Sequence, residues 1–304
     1  MKKPCRIIVT GRNGQVARSL LERASTHEDT KVIALGRPEL DLERPDTIAA
    51  TITRHRPDLI VSAAGHTAVD QAEEEAARTM TINAVAPGEI AKAAALLYVP
   101  VIHLSTDYVF DGTKSAPYTE SDATAPVSIY GRSKLQSEIA VARSNPNHVI
   151  LRTAWFFSPF GHNFLKTMLR LAESRTVVRV VDDQVGCPTS TLNLADGILT
   201  VARNLLERDD PALRGVFHLV ASGSGSWADF AEEIFHQSRL RGGPSAEVER
   251  IPSSEYPTPA RRPANSRLDC ARVLALHGVS LPPWRDSVAA VVESIGSASG
   301  VRGE

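Results

Sequence analysis

Residues 5–10 form a short apolar run that stops at Gly11-Arg12-Asn13-Gly14-Gln15-Val16-Ala17 and passes at once into an amphipathic stretch reaching about Arg23. A buried strand, a glycine turn and a helix in this order leave few architectures open. The glycines let the backbone approach a pyrophosphate, which sits at the helix N-terminus. With Ala17 in the third small position, the stretch reads as a dinucleotide-binding turn. A glycine turn alone is often only a turn, so the order of strands and helices after residue 23 decides.

The alternation continues. Residues 31–35 read as a second strand, and Pro45-Asp46 opens a helix to about residue 55, with proline in the first turn where it is tolerated. Residues 59–61 form a third strand running into Ser62-Ala63-Ala64-Gly65-His66-Thr67, whose small residues let a strand end lie against a cofactor. Helical stretches at 70–80 and 83–97 lead to a fourth strand ending in Ser105-Thr106-Asp107, then to a helix from Tyr130 to about residue 144 and a strand at 148–152. This pattern predicts an α/β fold with a Rossmann-type doubly wound parallel sheet. Beyond Arg152 the rhythm loosens. Helices are expected at 164–173, 194–206, 227–238, 269–276 and 284–295, with strands at 177–181 and 216–220 and a proline-rich segment at 252–263. The last part reads as a smaller, irregular C-terminal lobe over the sheet's carboxyl edge.

Charge and cysteine usage narrow the partners. Lys and Arg number 34 against 35 Asp and Glu, and no stretch gathers the basic residues into a stripe, so neither nucleic acid nor an anionic membrane is an expected partner. Cys5, Cys187 and Cys270 are odd in number and far apart, without metal or redox spacing, and are read as reduced thiols of a cytoplasmic protein. Lys2-Lys3 resembles the charged start of a leader, but Ile7-Ile8-Val9 is too short for its apolar core. The longest apolar run, 93–104, is broken by Pro100 and falls short of a membrane span.

The chemistry points to Tyr130-Gly131-Arg132-Ser133-Lys134. On a helix, four-residue spacing stacks the phenol and the ammonium one turn apart. An ammonium close to a phenol favours the phenolate, so Tyr130 is expected to exchange a proton nearer neutral pH than its ordinary value of about 10. Thr106, at the end of the fourth strand, would bring its hydroxyl to the edge where open α/β sheets bind ligands. Tyr-x-x-x-Lys also arises by chance, and its weight comes from this context.

Seven motifs occur in order along nearly the whole chain: Gly11-x-x-Gly14-Gln15-Val16, His66-Thr67-Ala68-Val69-Asp70, Ser105-Thr106-Asp107-Tyr108-Val109-Phe110-Asp111-Gly112, Tyr130-Gly131-x-x-Lys134, Arg152-Thr153-x-Trp155, Asp183-Gln184-x-Gly186-x-Pro188-Thr189, and Pro257-Thr258-Pro259-Ala260-Arg261-Arg262-Pro263-x-Asn265-Ser266-Arg267-Leu268. Together they resemble the dTDP-4-dehydrorhamnose reductases, a branch of the extended short-chain dehydrogenase/reductases. The resemblance implies reduction of the C4 ketone of dTDP-4-dehydro-L-rhamnose by a nicotinamide cofactor, the last step of dTDP-L-rhamnose synthesis. It makes Tyr130 the proton donor, supported by Lys134 and Thr106. It places Gly11, Gly14, Gln15 and Val16 at the pyrophosphate, Asp41 and Leu42 near adenine, Gly65, His66 and Thr67 along the cofactor, and Tyr130 and Lys134 at the nicotinamide ribose. Thr106, Asp107, Tyr108 and Trp155 would meet the sugar, with Gln184, Gly186 and Pro188 shaping the pocket. Arg262 and Arg267, beside Asn265 and Ser266, would suit a diphosphate clamp. Core packing is the plainer reading of Trp155, and solvated surface that of the arginines. The NADP-binding Rossmann domain would then comprise 1–153 and about 190–221, and the nucleotide-sugar-binding lobe about 154–189 and 222–304.

Two departures from the family pattern matter. Gly36-Arg37 stands where an acidic residue would hold the ribose of NAD, so Arg37 favours NADPH, with NADH a lesser cofactor. Some relatives form a magnesium-bridged dimer through glutamates, and Ser19 and Leu192 stand at two of those positions. No structural metal is expected, and the chain would be a monomer or a homodimer held otherwise. Two alternatives stay open: a non-catalytic nicotinamide-nucleotide-binding regulatory subunit of a methionine adenosyltransferase, and a reductase or epimerase for a different nucleotide sugar.

Overall fold

The computed structural model describes residues 4–300, so Lys2 and Lys3 lie outside the described residues. Strands β1 (Cys5–Thr10), β2 (Thr30–Leu35), β3 (Leu59–Ser62), β4 (Val101–Thr106) and β5 (His148–Thr153) join Gly215–His218 in one sheet. Its order is Gly215–His218, β5, β4, β3, β1, β2, and every pair is parallel. The direction of winding reverses between β1 and β3, and a crevice at the carboxyl ends of those strands is the ligand position of such sheets.

Two-residue periodicity sends side chains to both faces. Ile7 and Val9 pack with helix α1 (Gln15–Ala24) and with residues of Thr191–Glu207, while Ile8 and Ile60 pack with α2 (Ile48–His55) and the helix Ala86–Leu96. The expected helix over 70–80 is broken. It forms α3 (Val69–Glu74) and α4 (Ala76–Met80), separated by Glu75 at φ −108° and ψ 42°, and continues through a π-helical turn, Thr81–Val85, into α5 (Ala86–Leu96).

Helix α6 (Ile129–Ser144) starts on Ser128, whose hydroxyl accepts from the Gly131 N–H at 3.1 Å. Its buried face is polar, carrying Ser133, Lys134, Ser137 and Glu138. Glu138 tolerates burial because Arg152 of β5 meets it through two bonds, at 2.9 and 2.8 Å, and Ser105 donates to it at 2.5 Å.

The lobe is built on α7 (Phe164–Ala172), α8 (Thr191–Glu207), α9 (Trp227–Leu240), α10 (Ala271–His277) and α11 (Trp284–Gly300), of which α8 packs on α1 beneath the sheet. Ser19 of α1 is buried there against Thr191 of α8, 2.7 Å between hydroxyls. Phe157, Phe230, Phe235 and Trp284 form the lobe's own core. A strand absent from the sequence reading, Glu247–Ile251, pairs in parallel with Val177–Val181. The segment 252–263 is irregular apart from a short 3-10 turn, Ser253–Glu255.

Candidate active site

The glycine turn closes tightly on β2. The Gly11 N–H donates to the Leu35 carbonyl at 2.7 Å, and the Gly14 N–H to the Gly11 carbonyl at 2.7 Å. Gly11 sits at φ +95°, and a Cβ there would come 3.2 Å from the Cβ of Ala64. Thr10 locks the two strand ends together, its hydroxyl accepting from the Ala63 and Ala64 N–H groups at 3.1 and 3.0 Å. The result is a cleft of about 530 Å³ at the winding reversal, with the N-terminus of α1 facing into it. Gly11, Gly14, Gln15, Val16, Arg37, Asp41, Leu42, Gly65, His66 and Thr67 all line it. Gln15 also ties the lobe to the turn, accepting from Ser158 at 2.7 Å and from Asn163 at 3.0 Å.

Polar and cationic groups collect where β2 ends. Arg37 is exposed, with Glu43 a loose 3.9 Å away, whereas Arg12 is held by Glu39 at 2.8 Å and Arg78 by Glu43 and Glu75, each at 2.8 Å. This leaves Arg37 with a guanidinium free to take a further anion.

Tyr130 and Lys134, expected at the cofactor, are not among the residues lining this cleft. They connect to it through Asn83, a residue the sequence reading missed. Its amide accepts from the His66 N–H at 2.7 Å and donates to the His66 carbonyl and to Ser133, each at 3.0 Å, and Ser133 in turn donates to the Tyr130 carbonyl at 2.7 Å. The π-helical turn puts Asn83 in place, a type of bulge that often marks functional positions. Nothing in the local pattern separates Asn83 from an ordinary helical polar residue.

The start of α6 is roofed by the turn after β4. A Cβ on Gly131 would lie 2.2 Å from the Tyr108 carbonyl oxygen, so only glycine lets the helix come this close. Tyr108 meets Tyr130 edge to face, with ring centroids 5.9 Å apart. Thr106 ends β4 as expected and is buried; its hydroxyl donates to Asp107 at 2.8 Å and accepts from the Tyr108 N–H at 3.2 Å.

The electrostatics correct one expectation. Tyr130 is not lowered by Lys134: burial, together with the nearby Asp107 charge, pushes its phenol up to about 12, and a hydrogen bond with Thr106 opposes this. The Lys134 ammonium is instead spent on the Leu104 carbonyl at 2.6 Å and lies 3.3 Å from His103 Nε2, and burial brings it down to about 8. Spacing along the helix gives the common face; it carries no information on desolvation, which dominates here. His103, also missed, is fully buried between Ser62 and Ser137, at 3.1 and 2.8 Å, and held well below its ordinary value by burial and by Lys134.

On the lobe side, Trp155 is half-buried at φ +46° and stacks on Trp227 at 3.6 Å, neither plain core nor free surface. Gly186 permits this, since a Cβ would sit 2.4 Å from the Trp155 ring. Pro188 is buried nearby in sequence, and Gln184 donates to Ser253 at 2.8 Å. Arg262 and Arg267 are not solvated surface. Arg262 grips Asp70, and Arg267 holds Asn265 at 2.8 Å and the Ser115 carbonyl. Asn265 pins the loop before Tyr118, donating to the Lys114 and Ala116 carbonyls, while Ser266 reaches Asp107. Among the described residues no three His, Cys, Asp or Glu side chains are grouped to hold a metal ion, and no helix is long and apolar enough to cross a membrane.

A parallel sheet with a glycine turn at its winding reversal, and Tyr130 and Lys134 on one helix beside Thr106, define a Rossmann-type oxidoreductase of the short-chain dehydrogenase kind. The profile of the RmlD substrate binding domain family matches residues 5–297. The dTDP-4-dehydrorhamnose reductase of Sinorhizobium fredii is 49% identical over 287 residues, 94% of this chain and 96% of that one. Two solved dTDP-4-dehydrorhamnose reductases superpose with a TM-score of 0.88 over 96% of this chain and 99% of theirs: one from Clostridium acetobutylicum at 35% identity, and one from Bacillus anthracis, in complex with NADP, at 31%. The chain belongs to the dTDP-4-dehydrorhamnose reductase family.

Proposed function

We propose that this protein reduces the C4 ketone of dTDP-4-dehydro-L-rhamnose to dTDP-L-rhamnose with NADPH, accepting NADH less well. The observation that carries the reading is the meeting of Tyr130 and Thr106 at the carboxyl end of β4, next to a glycine-turn cleft roomy enough for an extended dinucleotide. A Cβ at Gly11 or Gly14 would narrow the cradle, the first toward Ala64 and the second to 3.1 Å from the Gly11 carbonyl, which suits a pyrophosphate lying on the turn. The cofactor, once bound, supplies hydride to the ketone carbon.

The remaining work falls to the chain's own groups. Tyr130, a neutral phenol across the physiological range, donates its proton to the C4 oxygen. Thr106 orients that oxygen, and Lys134, anchored on Leu104, holds the nicotinamide ribose. Asp107, Tyr108 and Trp155 bind the sugar, Gln184, Gly186 and Pro188 shape the pocket around it, and Arg262, Asn265, Ser266 and Arg267 face the diphosphate. Arg37 takes the 2'-phosphate of NADPH. The Rossmann domain spans 1–153 and about 190–221, and the sugar nucleotide is held by about 154–189 and 222–304. The protein works in the cytoplasm as a monomer or a metal-free homodimer. Incubation with the ketosugar nucleotide and NADPH, followed by nuclear magnetic resonance of the product, tests this. dTDP-L-rhamnose is expected; the C4 epimer, or no consumption of either substrate, would overturn it.

A further inference from the structure

Asp107 follows directly on β4 and is 2% exposed. Its Oδ1 accepts the Thr106 hydroxyl at 2.8 Å and Ser266 reaches the same carboxyl, while Oδ2 is buried with no hydrogen-bond partner among the described residues. An ionised oxygen left buried without a donor is costly, and a proton on it removes the charge. Burial accordingly pushes the carboxyl up to about 6. The groups that feel its charge are Tyr108, Tyr130 and Cys187, with Arg262 facing Tyr108 one side chain further out. Thr106 stands between the acid and Tyr130, bonded to both. A hydroxyl has one proton and two lone pairs, so it passes a proton on only by taking another.

We infer that Asp107 acts through Thr106 to restore the proton of Tyr130, a two-bond relay from a buried acid to the phenol. The inference rests on Tyr130 being the proton donor. When Tyr130 has given its proton to the substrate oxygen, the phenolate takes the Thr106 proton and Thr106 takes the one on Asp107. Phenol and hydroxyl are restored, and the net change is one proton lost from the carboxyl, which solvent replaces after product leaves. Asp107 is thus a positioning and proton-supplying residue rather than only a sugar contact. With the carboxyl ionised, the Thr106 proton stays on the Asp107 side and the relay stops.

The test is the pH dependence of kcat with saturating NADPH and substrate, from about pH 5 to about pH 8, spanning the range in which a raised carboxyl titrates. Wild-type kcat is expected to fall about tenfold as pH rises through about 6. Asp107→Asn, which supplies no proton, and Thr106→Val, which cuts the relay but keeps the acid, are both expected to be slower and to lose that limb. A limb unchanged in Asp107→Asn, or missing from the wild type, overturns the relay. Should the Asn variant fail to fold, infrared titration of the wild type decides. A buried carboxylic acid band that vanishes as pH rises through about 6 upholds the relay, and its absence at about pH 5 overturns it. Tyr130→Phe separates this from the donor assignment: it is inactive at every pH if Tyr130 is the donor, and its activity would sink that assignment whatever the carboxyl does.

Discussion

Arg262 grips Asp70 across 192 residues of chain, with guanidinium-to-carboxylate distances of 3.0 and 2.8 Å, and Asp70 also accepts from the Ala260 N–H at 3.1 Å. The proline-rich segment is thereby strapped to the start of α3, on the Rossmann side of the site.

Asp70→Ala releases that strap. The Arg262 bond holds the carboxyl below its ordinary range, so its contribution to stability is present above the unfolded value of about 4 and is lost as pH falls through the lower folded value. The pair is partly exposed, and screening reduces its worth to about 1 kcal/mol. Thermal melting at neutral pH should show a drop of a few degrees, and KM for the nucleotide sugar should rise more than kcat falls. An unchanged KM would detach the strap from substrate binding.

Asp107→Asn has a separate consequence for stability. The folded carboxyl titrates near 6 and the unfolded one near 3.8. The folded state therefore binds more protons between those values, and stability falls as pH rises through that window, by about 3 kcal/mol at most. The neutral amide escapes this penalty. Above about pH 6 the variant should melt higher than the wild type, and below about pH 4 the two should converge. A melt that is lower at every pH would show that Asp107 stabilises the fold.

How much of this was legible in sequence divides along physical lines. The turn from Cys5 to Val16, the end of β4 at Thr106 and the start of α6 near Tyr130 are local patterns of period and capping, and each stands where the pattern put it. The strand Glu247–Ile251 was illegible because Glu-Val-Glu-Arg-Ile turns mostly charged residues to solvent and gains its order from pairing with Val177–Val181. Asn83 and His103 owe their roles to partners 17 to 50 and 31 to 41 residues away. The direction of the Tyr130 shift depends on burial, which no spacing reports.

Gly131→Ala should damage fold and catalysis together. The added methyl meets a backbone carbonyl at 2.2 Å, so the first turn of α6, and Tyr130 with it, must move. A loss of about 2–3 kcal/mol in denaturant unfolding and a fall in kcat are expected. Gly296→Ala is the control: it lies in α11, where a Cβ meets nothing among the described residues within 4 Å, and should gain about 0.5–1 kcal/mol.

Arg37→Ala should weaken NADPH about tenfold, about 1.4 kcal/mol, and leave NADH unchanged. Cofactor titration by fluorescence reads both affinities. Equal weakening of the two would remove Arg37 from the choice of cofactor.

The central claim is that Tyr130 supplies the proton, and turnover of Tyr130→Phe tests it most directly. With dTDP-4-dehydro-L-rhamnose and NADPH at saturation, the variant should lose about 10²–10⁴-fold in kcat while binding NADPH as the wild type does. Turnover within a few-fold of the wild type would contradict the account.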